Sequence, residues 1–275
     1  MRRRHALSLA ALPLAAQAQG RPRLVSVGGA VTETVYALGA QAQLVGVDTS
    51  SLYPLEATRL PNVGYARALS AEGLLALAPQ LLLAGGEAGP PLVLQQLRQA
   101  GVRVEVLEEG HHFDAVLTRS RRVAELLERD PQPLLQGLRQ DWKAVQALQV
   151  QEAHQRPRVL FVLAHAANSL RVAGTGTAAD AMLRLAGARN ACAGLQGYRP
   201  LTPEAALQAA PDLILCTTQG LHALGGVDGL LKAPGLTLTP AGRARRVRAM
   251  DALLLLGFGP RLPQAVQELG ALIHG

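Results

Sequence analysis

Residues 69–83 read LSAEGLLALAPQLLL, and residues 201–215 repeat the pattern as LTPEAALQAAPDLIL. In the first segment, the pattern predicts a helix that opens at Ser70 and ends at Pro79, followed by a short, fully apolar strand. The acidic residue and the proline fall at the same places in the second segment. The chain therefore contains two weakly similar halves, each with a helix, a proline and a buried strand.

Strand and helix patterns alternate on both sides of these segments. The apolar runs and their boundaries predict strands at 23–27, 44–48, 81–83, 102–106 and 157–163, and helices at 31–38, 91–100 and 178–186. The predicted strands are almost continuously apolar, which is typical of parallel sheets with both faces covered. We therefore predict an α/β fold of two Rossmann-like lobes, each built on a parallel sheet.

A long amphipathic pattern separates the two halves. Apolar residues recur at helical spacing from Phe113, and Arg119 falls on the opposite, polar side together with other charged residues. This predicts one long bridging α-helix. The predicted divisions are residues 19–112 for the N-terminal lobe, 113–130 for the bridging helix and 131–275 for the C-terminal lobe. Two matched lobes joined in this way predict a ligand cleft between them.

Residues 1–18 have the pattern of a cleavable secretion signal. Three arginines precede a short apolar run, and small residues follow it at 16–18. An uncleaved anchor is the alternative, although the run is too short to span a bilayer. No cysteine follows to carry a lipid. We therefore expect an exported, periplasmic protein, whose formal net charge falls from +7 to +4 with the segment removed. Such a small charge is not typical of nucleic-acid binding.

Cysteine, histidine and motif content argue against catalysis and against a protein-ligated metal. Cys192 and Cys216 could pair after export, or stay as two buried thiols, and the sequence leaves both open. The histidines after residue 18 are scattered, which disfavours a zinc or manganese site of three or four histidines. The chain has no nucleophile elbow, zinc-protease motif or phosphate-binding loop. We expect no enzymatic activity.

Tyr65 and Arg67 are the residues that stand out chemically. They lie two residues apart in a predicted loop, and loops on a rigid scaffold often carry function. A phenolate oxygen suits ferric iron, and tyrosinate is a known axial ligand of haem iron. Arg67 could favour the charged phenolate. The alternative is that Tyr65 covers the core at a loop edge while Arg67 is simply solvated.

Three separated stretches resemble one protein family. Residues 63–75 (VGYARALSAEGLL), 172–182 (VAGTGTAADAM) and 256–261 (LGFGPR) resemble the haem-binding branch of the periplasmic proteins that bind iron-siderophores, cobalamin and haem. Residues 23–48 resemble the opening of that wider class. The resemblance extends over essentially the whole chain after the signal segment.

The resemblance implies a ligand and a way of holding it. Members of the branch hold one ferric haem, as transported ligand, in a cleft between two lobes that one rigid helix bridges. The family's tyrosinate ligand of the haem iron corresponds to Tyr65, and its companion arginine to Arg67. Some members add a histidine from the second lobe, for which His165 occupies a comparable place. The alternative for His165 is a strand-end residue with a backbone partner.

This sequence departs from the family at the haem propionates. The family often has a basic residue in the loop after the strand at 213–215, whereas this chain offers Gln219 and His222 there. Arg171 or Arg199 could supply the contact instead. Tyr198 could face the ligand from the second lobe, or pack beneath Pro200.

Glu72 and Glu204 open the two repeated helices. In the class, such paired acids meet arginines on the membrane permease, although acids in a first helical turn also stabilise helix N-termini. We therefore expect a monomeric periplasmic protein that binds haem and delivers it to the permease–ATPase complex of an ABC importer at the inner membrane. The alternatives are a binding protein for a ferric siderophore or cobalamin, and a haem-degrading or chelate-reducing enzyme.

Overall fold

The computed structural model describes residues 22–151, 156–164 and 170–275. The predicted signal segment at 1–18 and His165 lie outside the described residues. No helix in the described ranges is both long enough and apolar enough to cross a membrane.

The first lobe is built on a four-stranded sheet in the order β2-β1-β3-β4, and all of its neighbouring strands are parallel. The strands are β1 (Leu24–Val27), β2 (Leu44–Val47), β3 (Leu81–Gly85) and β4 (Arg103–Leu107), and the helices are α1 (Gly29–Ala37), α2 (Ala71–Leu75) and α3 (Pro91–Gln99). Side chains of β1 and β3 alternate between two apolar clusters, one on each face of the sheet. Because both faces are buried, these strands are apolar at nearly every position.

The second lobe contains a six-stranded mixed sheet. Its strands are β5 (Arg158–Ala164), β6 (Leu170–Ala173), β7 (Arg189–Asn190), β8 (Tyr198–Pro200), β9 (Leu213–Thr217) and β10 (Val247–Met250). Strands β10, β9, β5 and β7 are parallel, whereas β6 is antiparallel to both β5 and β8. The prediction of a parallel sheet thus holds for the first lobe and for only part of the second. Only five residues separate β5 from β6, and a parallel crossover needs a dozen or more.

Helices cover both faces of the second sheet. They are α6 (Ala178–Leu185), α7 (Pro203–Ala209), α8 (Thr218–Ala223), α9 (Gly226–Leu231), α10 (Pro240–Arg243), α11 (Ala252–Leu256) and α12 (Leu262–His274). Cys192 and Cys216 are buried in one of the two apolar clusters, and both are free thiols. Burial raises the pKa of both thiols, that of Cys216 to about 12. Of the two possibilities that the sequence left open, the structure has two buried thiols.

Helix α4 (Phe113–Leu126) follows the first lobe, and α5 (Gln132–Gln151) packs into the core of the second. Val116 and Leu117 of α4 belong to the core of the second lobe, whereas Val123 and Leu126 belong to that of the first. Helix α4 therefore packs into both lobes, as a bridging helix must. The side chain of Phe113 stacks on Trp142 of α5, with ring centroids 4.6 Å apart and an angle of 4° between the ring planes.

Arg119 lies on a buried side of α4, so its assignment to a solvated face is wrong. Its side chain is 7 % exposed, and its guanidinium donates a hydrogen bond to the carbonyl oxygen of Phe258 in the second lobe. Burial lowers the pKa of Arg119. The helical pattern indicated a single buried stripe, but α4 is contacted from two directions because it packs against both lobes.

The repeated segments fold alike. The side chains of Ser70 and Thr202 cap α2 and α7 by accepting hydrogen bonds from the backbone N–H three residues later. Before the shared proline, Ala78 and Ala210 both adopt positive φ, 45° and 37°. Helix α2 ends at Leu75, before the predicted end at Pro79, and the proline itself disfavours helical geometry at the residue that precedes it.

An arginine holds the same turn in each lobe. Arg23 donates through Nη2 to the carbonyl of Leu77 at 2.7 Å, and Arg158 donates through Nη2 to the carbonyl of Ala209 at 2.6 Å. Leu77 and Ala209 are equivalent positions of the repeat. The internal similarity seen in the sequence is thus a repeated structural unit.

Candidate ligand-binding cleft

The two lobes meet through a buried ion pair. Arg261 donates through Nε to Glu33 Oε2 at 3.1 Å and through Nη2 to Glu33 Oε1 at 2.5 Å. The Glu33 side chain is 4 % exposed and that of Arg261 is 18 % exposed. Burial raises the pKa of Glu33, and the hydrogen bonds and charge of Arg261 oppose that rise. This pair ties α1 of the first lobe to the start of α12 in the second.

Close packing surrounds the ion pair. The guanidinium of Arg261 stands 3.6 Å from the ring centroid of Tyr53, at cation–π distance. At Gly29, a Cβ atom would lie 2.4 Å from Leu253 Cδ1 and 2.6 Å from the carbonyl oxygen of Ser50. Only glycine allows the second lobe to approach α1 this closely.

Phe258 forms the other part of the contact between the lobes. It is buried, adopts a φ of 50°, and its carbonyl oxygen accepts the bond from Arg119 of the bridging helix. Its ring lies 5.0 Å from the ring of His111, which leads into α4 from the first lobe. Desolvation lowers the pKa of His111. The LGFGPR stretch at 256–261 therefore lies where the lobes meet.

Tyr65 lies on a loop of the first lobe, directly before a short 3₁₀ turn at Ala66–Ala68. Gly64 precedes it with a φ of 93°, and the Gly64 carbonyl accepts a hydrogen bond from Thr49 N–H at 3.0 Å, which joins this loop to the one after β2. The Tyr65 side chain is 53 % exposed. Within the described part of the chain, its hydroxyl makes no hydrogen bond. The phenol is therefore accessible to a ligand.

Arg67 is held by an acid that the sequence analysis missed. Its guanidinium donates through Nε to Glu87 Oε2 at 3.0 Å, and Nη2 pairs with Glu87 Oε1. This bond is the main cause that raises the pKa of Arg67, and the Tyr65 phenol raises it to a smaller extent. Glu87 follows β3 at the carboxyl end of a parallel strand, a position where ligand-binding loops occur. That placement is the signal that could have identified Glu87.

Tyr198 lies on β8 and packs against the core of the second lobe. Burial raises its pKa, contacts with the Ala179 backbone and the Thr177 side chain oppose the rise, and the charge of Glu87 adds to it. The charge of Glu87 in the first lobe thus acts on Tyr198 in the second. Arg171 on β6 donates to the Tyr198 carbonyl at 2.7 Å.

Of the remaining second-lobe residues that the sequence singled out, Gln219 and His222 lie one turn apart on α8, and Arg199 lies on β8. His222 is exposed on α8, and Arg199 is exposed on β8. Gln219 is used within the lobe, because its side chain donates to Asp251 Oδ2 at 2.8 Å and accepts from Ala252 N–H at 3.1 Å. His165 lies outside the described residues.

Glu72 and Glu204 are exposed in the first turns of α2 and α7, one on each lobe. Among the described residues, no group of three or more His, Cys, Asp or Glu side chains is placed to hold a metal ion.

Comparison with known proteins identifies the family. The model of the family described as periplasmic binding protein matches residues 24–254. The chain belongs to this family. Its members are binding proteins, so the chain is a binding protein rather than an enzyme.

Solved structures of haem-binding proteins are similar to this chain over almost its whole length. The periplasmic haem-binding protein BhuT, solved with two haems, is 50 % identical with a TM-score of 0.87, over 92 % of this chain and 97 % of that one. RhuT from Roseiflexus sp. RS-1, solved in the apo form, is 42 % identical with a TM-score of 0.89, over 93 % and 98 %. HutB of Vibrio cholerae is 37 % identical with a TM-score of 0.82, over 93 % and 100 %. The predicted resemblance to periplasmic haem-binding proteins and the two-lobe fold are confirmed.

Curated relatives are more distant. An uncharacterized ABC transporter substrate-binding lipoprotein, YvrC of Bacillus subtilis (strain 168), is 28 % identical over 92 % of this chain and 80 % of its own length. The vitamin B12-binding protein of Yersinia pestis (strain Pestoides F) is 30 % identical over 156 residues, which are 57 % of this chain and 54 % of that protein. The match to the B12-binding protein therefore covers only about half of either chain.

Proposed function

We propose that the chain is a periplasmic protein that captures ferric haem between its two lobes and delivers it to an ABC importer. One observation carries the proposal: Tyr65 is a half-exposed phenol without a hydrogen-bond partner among the described residues, on a loop that is joined to the loop after β2. The similarity to haem-binding proteins over nearly the whole chain supports it.

Tyr65 supplies the proposed iron ligand. Its phenolate coordinates Fe(III), a hard cation that favours anionic oxygen. Arg67 stands two residues away with its guanidinium fixed by Glu87, so that its positive charge is placed near the phenolate. A nearby cation favours the charged form of a phenol. In this proposal, Arg67 assists the phenolate once iron is bound and is not itself a ligand of the iron.

Apolar side chains beside Tyr65 cover the macrocycle. Leu52 and Leu55 are 49 % and 69 % exposed on the loop after β2, which the Thr49–Gly64 hydrogen bond joins to the Tyr65 loop. Exposed leucines at this place are suited to a flat apolar ring system, since ligand sites combine mostly apolar walls with a few polar anchors.

The second lobe completes the proposed site. Tyr198 and Arg171 approach it from β8 and β6, and Arg171 carries a positive charge suited to a haem propionate. His222 is a second candidate for a propionate contact. His165 is a candidate second ligand of the iron. Because a buried ion pair and tight packing join the lobes, we expect only small closure on binding.

Delivery requires a surface that the importer recognises. Glu72 and Glu204 are exposed on opposite lobes, and we propose that they meet basic residues of the permease. The chain acts as a monomer in this proposal, and haem is its cargo rather than a resident cofactor.

Titration with haemin tests the proposal. The purified protein should develop the absorption of a ferric tyrosinate haem complex, with a breakpoint that gives the number of haems bound. Tyr65→Phe removes only the phenol oxygen and should abolish the tyrosinate bands, whereas Tyr53→Phe, at a similarly exposed tyrosine, should keep them. A wild-type spectrum from Tyr65→Phe would refute the assignment of the ligand.

Cobalamin is a second candidate cargo, favoured by the partial similarity to vitamin B12-binding proteins. Such a ligand does not require a phenolate. Competition separates the two: an excess of cyanocobalamin or of a ferric siderophore should leave bound haem in place. Displacement of haem by either compound at micromolar concentration would favour the alternative.

A further inference from the structure

The two lobes carry net charges of opposite sign. Residues 22–112 contain five basic and eight acidic residues, whereas residues 131–275 contain fourteen basic and eight acidic residues, counting arginine and lysine as basic. The small net charge of the whole chain therefore conceals a distinctly basic second lobe. A concentration of one charge on one part of a protein attracts partners of the opposite charge.

The register of the second sheet places arginines in a row. Arg158 pairs with Arg189 between β5 and β7, and the N–H of Asp212, directly before β9, donates to the carbonyl of Arg158. The N–H of Ile214 on β9 donates to the carbonyl of Arg246, directly before β10. All three arginines are exposed at the starts of parallel strands, and neighbouring strands are about 4.8 Å apart. We call this end of the second sheet the amino-end edge. It lies opposite the carboxyl ends of the strands, where ligand-binding loops occur.

Arginines also line a depression at the amino-end edge. Its volume is about 560 Å³, and its lining includes Arg156, Arg184 and Arg189. Arg184 pairs with the buried carboxylate of Asp180 at 3.4 Å. Within the described ranges, the guanidinium groups of Arg156 and Arg189 make no hydrogen bond or ion pair. A guanidinium binds a phosphate through two parallel N–H donors, so the depression is suited to one phosphate group.

Acidic residues neutralise only part of the charge at this edge. Asp228 pairs with Arg245 at 2.5 Å, and the carboxylate of Asp212 accepts a hydrogen bond from a backbone N–H. Arg243 and Arg246 are exposed, and neither has an acidic partner in the part of the chain that the structure describes. The amino-end edge thus retains a net positive charge.

An exposed leucine accompanies these arginines. Leu238 is 57 % exposed at the end of a 3₁₀ turn that leads into α10. The N–H of Ala241 on α10 donates to the carbonyl of Pro211, which precedes β9, so this turn lies beside the amino-end edge. A basic surface that also exposes an apolar side chain has the composition that binds to anionic bilayers.

Nucleic acid is another polyanion, but the composition of the edge does not favour it. Sites for single-stranded nucleic acid combine basic side chains with aromatic ones on which bases stack. Among the described residues, the large exposed apolar side chains include two aromatic ones, Tyr53 and Tyr65, and both belong to the first lobe.

We propose that the amino-end edge of the second lobe binds the surface of an anionic phospholipid bilayer. One lipid phosphate occupies the depression between Arg156 and Arg189, and Leu238 enters the headgroup layer. The carboxyl ends of the strands then point away from the bilayer, so membrane binding leaves them accessible. The proposal goes beyond haem capture and does not depend on it.

Vesicle flotation tests the proposal with the exported protein purified from the periplasm. The protein should bind vesicles of equal parts phosphatidylglycerol and phosphatidylcholine, bind them more weakly as salt is raised, and not bind vesicles of phosphatidylcholine alone. Arg156→Gln, Arg189→Gln and Arg246→Gln should each raise the apparent Kd about fivefold, which corresponds to about 1 kcal/mol. The triple variant should raise it about a hundredfold. Leu238→Ser should raise it about fivefold by an effect that salt does not change.

The matched control removes the same number of charges elsewhere. Arg59→Gln, Arg98→Gln and Arg121→Gln are substitutions at exposed arginines outside the second lobe, and the triple variant should bind the vesicles like the wild type. An equal loss in both triple variants would show that only net charge matters and would overturn the assignment of the surface.

Three further outcomes would overturn the proposal. They are a lack of wild-type binding to the anionic vesicles, displacement from them by inorganic phosphate at constant ionic strength, and tighter binding to single-stranded DNA than to vesicles. Circular dichroism should show that every variant is folded. Haemin titration of the variants should match that of the wild type, so a failure of the haem proposal would appear separately, in the wild-type titration.

Discussion

The two glycine–tyrosine pairs, one in each lobe, have different structural environments although the segments after them fold alike. Gly64 and Gly197 both adopt positive φ, but Tyr65 enters a 3₁₀ turn and stays 53 % exposed, whereas Tyr198 joins β8 and is half-buried. The first half has one residue more between the tyrosine and the helix cap. That residue gives room for the turn, which leaves the phenol of Tyr65 accessible.

This difference shows which parts of a repeated unit are free to change. The cap, the positive-φ alanine, the proline and the arginine that holds the turn all serve the same packing in both lobes. The two tyrosines lack such shared packing, because Tyr198 packs against the core of its lobe whereas Tyr65 is 53 % exposed. One loop could therefore acquire an accessible phenol while the other became a strand.

Removing each phenol oxygen should show the largest contrast between the halves. Tyr65→Phe should weaken haem binding about a hundredfold or more, because it removes the proposed iron ligand. Tyr198→Phe should change haem affinity less than about threefold. Equilibrium titration with haemin measures both, and equal losses in the two variants would contradict the assigned difference.

For stability we expect the opposite order, with Tyr198→Phe less stable than Tyr65→Phe. Tyr198→Phe removes the contacts of the hydroxyl with Ala179 and Thr177, which should lower the free energy of unfolding by about 1 kcal/mol. Tyr65→Phe should leave it within about 0.5 kcal/mol, since its hydroxyl has no partner among the described residues. Urea denaturation without haem makes the measurement.

Mutation of the ion pair between the lobes should lower the free energy of unfolding more than mutation within either repeated segment. Arg261→Met leaves Glu33 buried without its counter-charge, which should lower the free energy of unfolding by about 3 kcal/mol. Adding Glu33→Gln to Arg261→Met should recover part of this loss, because no charge then stays buried. Arg243→Met, at an exposed arginine, serves as control in urea denaturation. Unchanged stability of Arg261→Met would show that the lobes do not depend on this pair.

The arginines that hold the equivalent turns should have similar effects. Arg23→Met and Arg158→Met each remove hydrogen bonds to the carbonyl at the end of a short helix. Because these bonds are partly solvated, each substitution should lower the free energy of unfolding by about 1 kcal/mol. A large difference between the two, measured by urea denaturation, would show that the halves are less alike than their geometry suggests.

The helix caps should give the smallest effects. Thr202→Ala removes a hydrogen bond of 3.1 Å and should cost about 1 kcal/mol, whereas Ser70→Ala removes one of 3.4 Å and should cost about 0.5 kcal/mol. Thermal unfolding followed by circular dichroism can rank the two. The reverse order would mean that α2 depends on its cap more than α7 does.

Much of the architecture followed from local patterns. Continuous apolar runs identified strands buried on both faces, and the repeat of residues 69–83 at 201–215 identified two halves. The amphipathic pattern from Phe113 identified the helix that joins them. These inferences succeed because burial on a sheet or along a helix imposes a short sequence period.

Local patterns failed where distant segments meet. The burial of Arg119 depends on a contact with Phe258, 139 residues away. Glu87 was missed because its role depends on the hydrogen bond that Arg67 donates to it, and this bond exists only in the folded chain.

The amino-acid sequence by itself determined the α/β class, the two halves, the bridging helix and the family resemblance, because each follows from patterns of residues that are close together in the chain. Only the tertiary structure decided that Glu33 and Arg261 join the lobes, that Tyr65 is exposed while Tyr198 is half-buried, and that Leu75 and Leu207 are both exposed. The physical reason is that accessibility and pairing are properties of surfaces, and surfaces form only when residues far apart in the chain pack together.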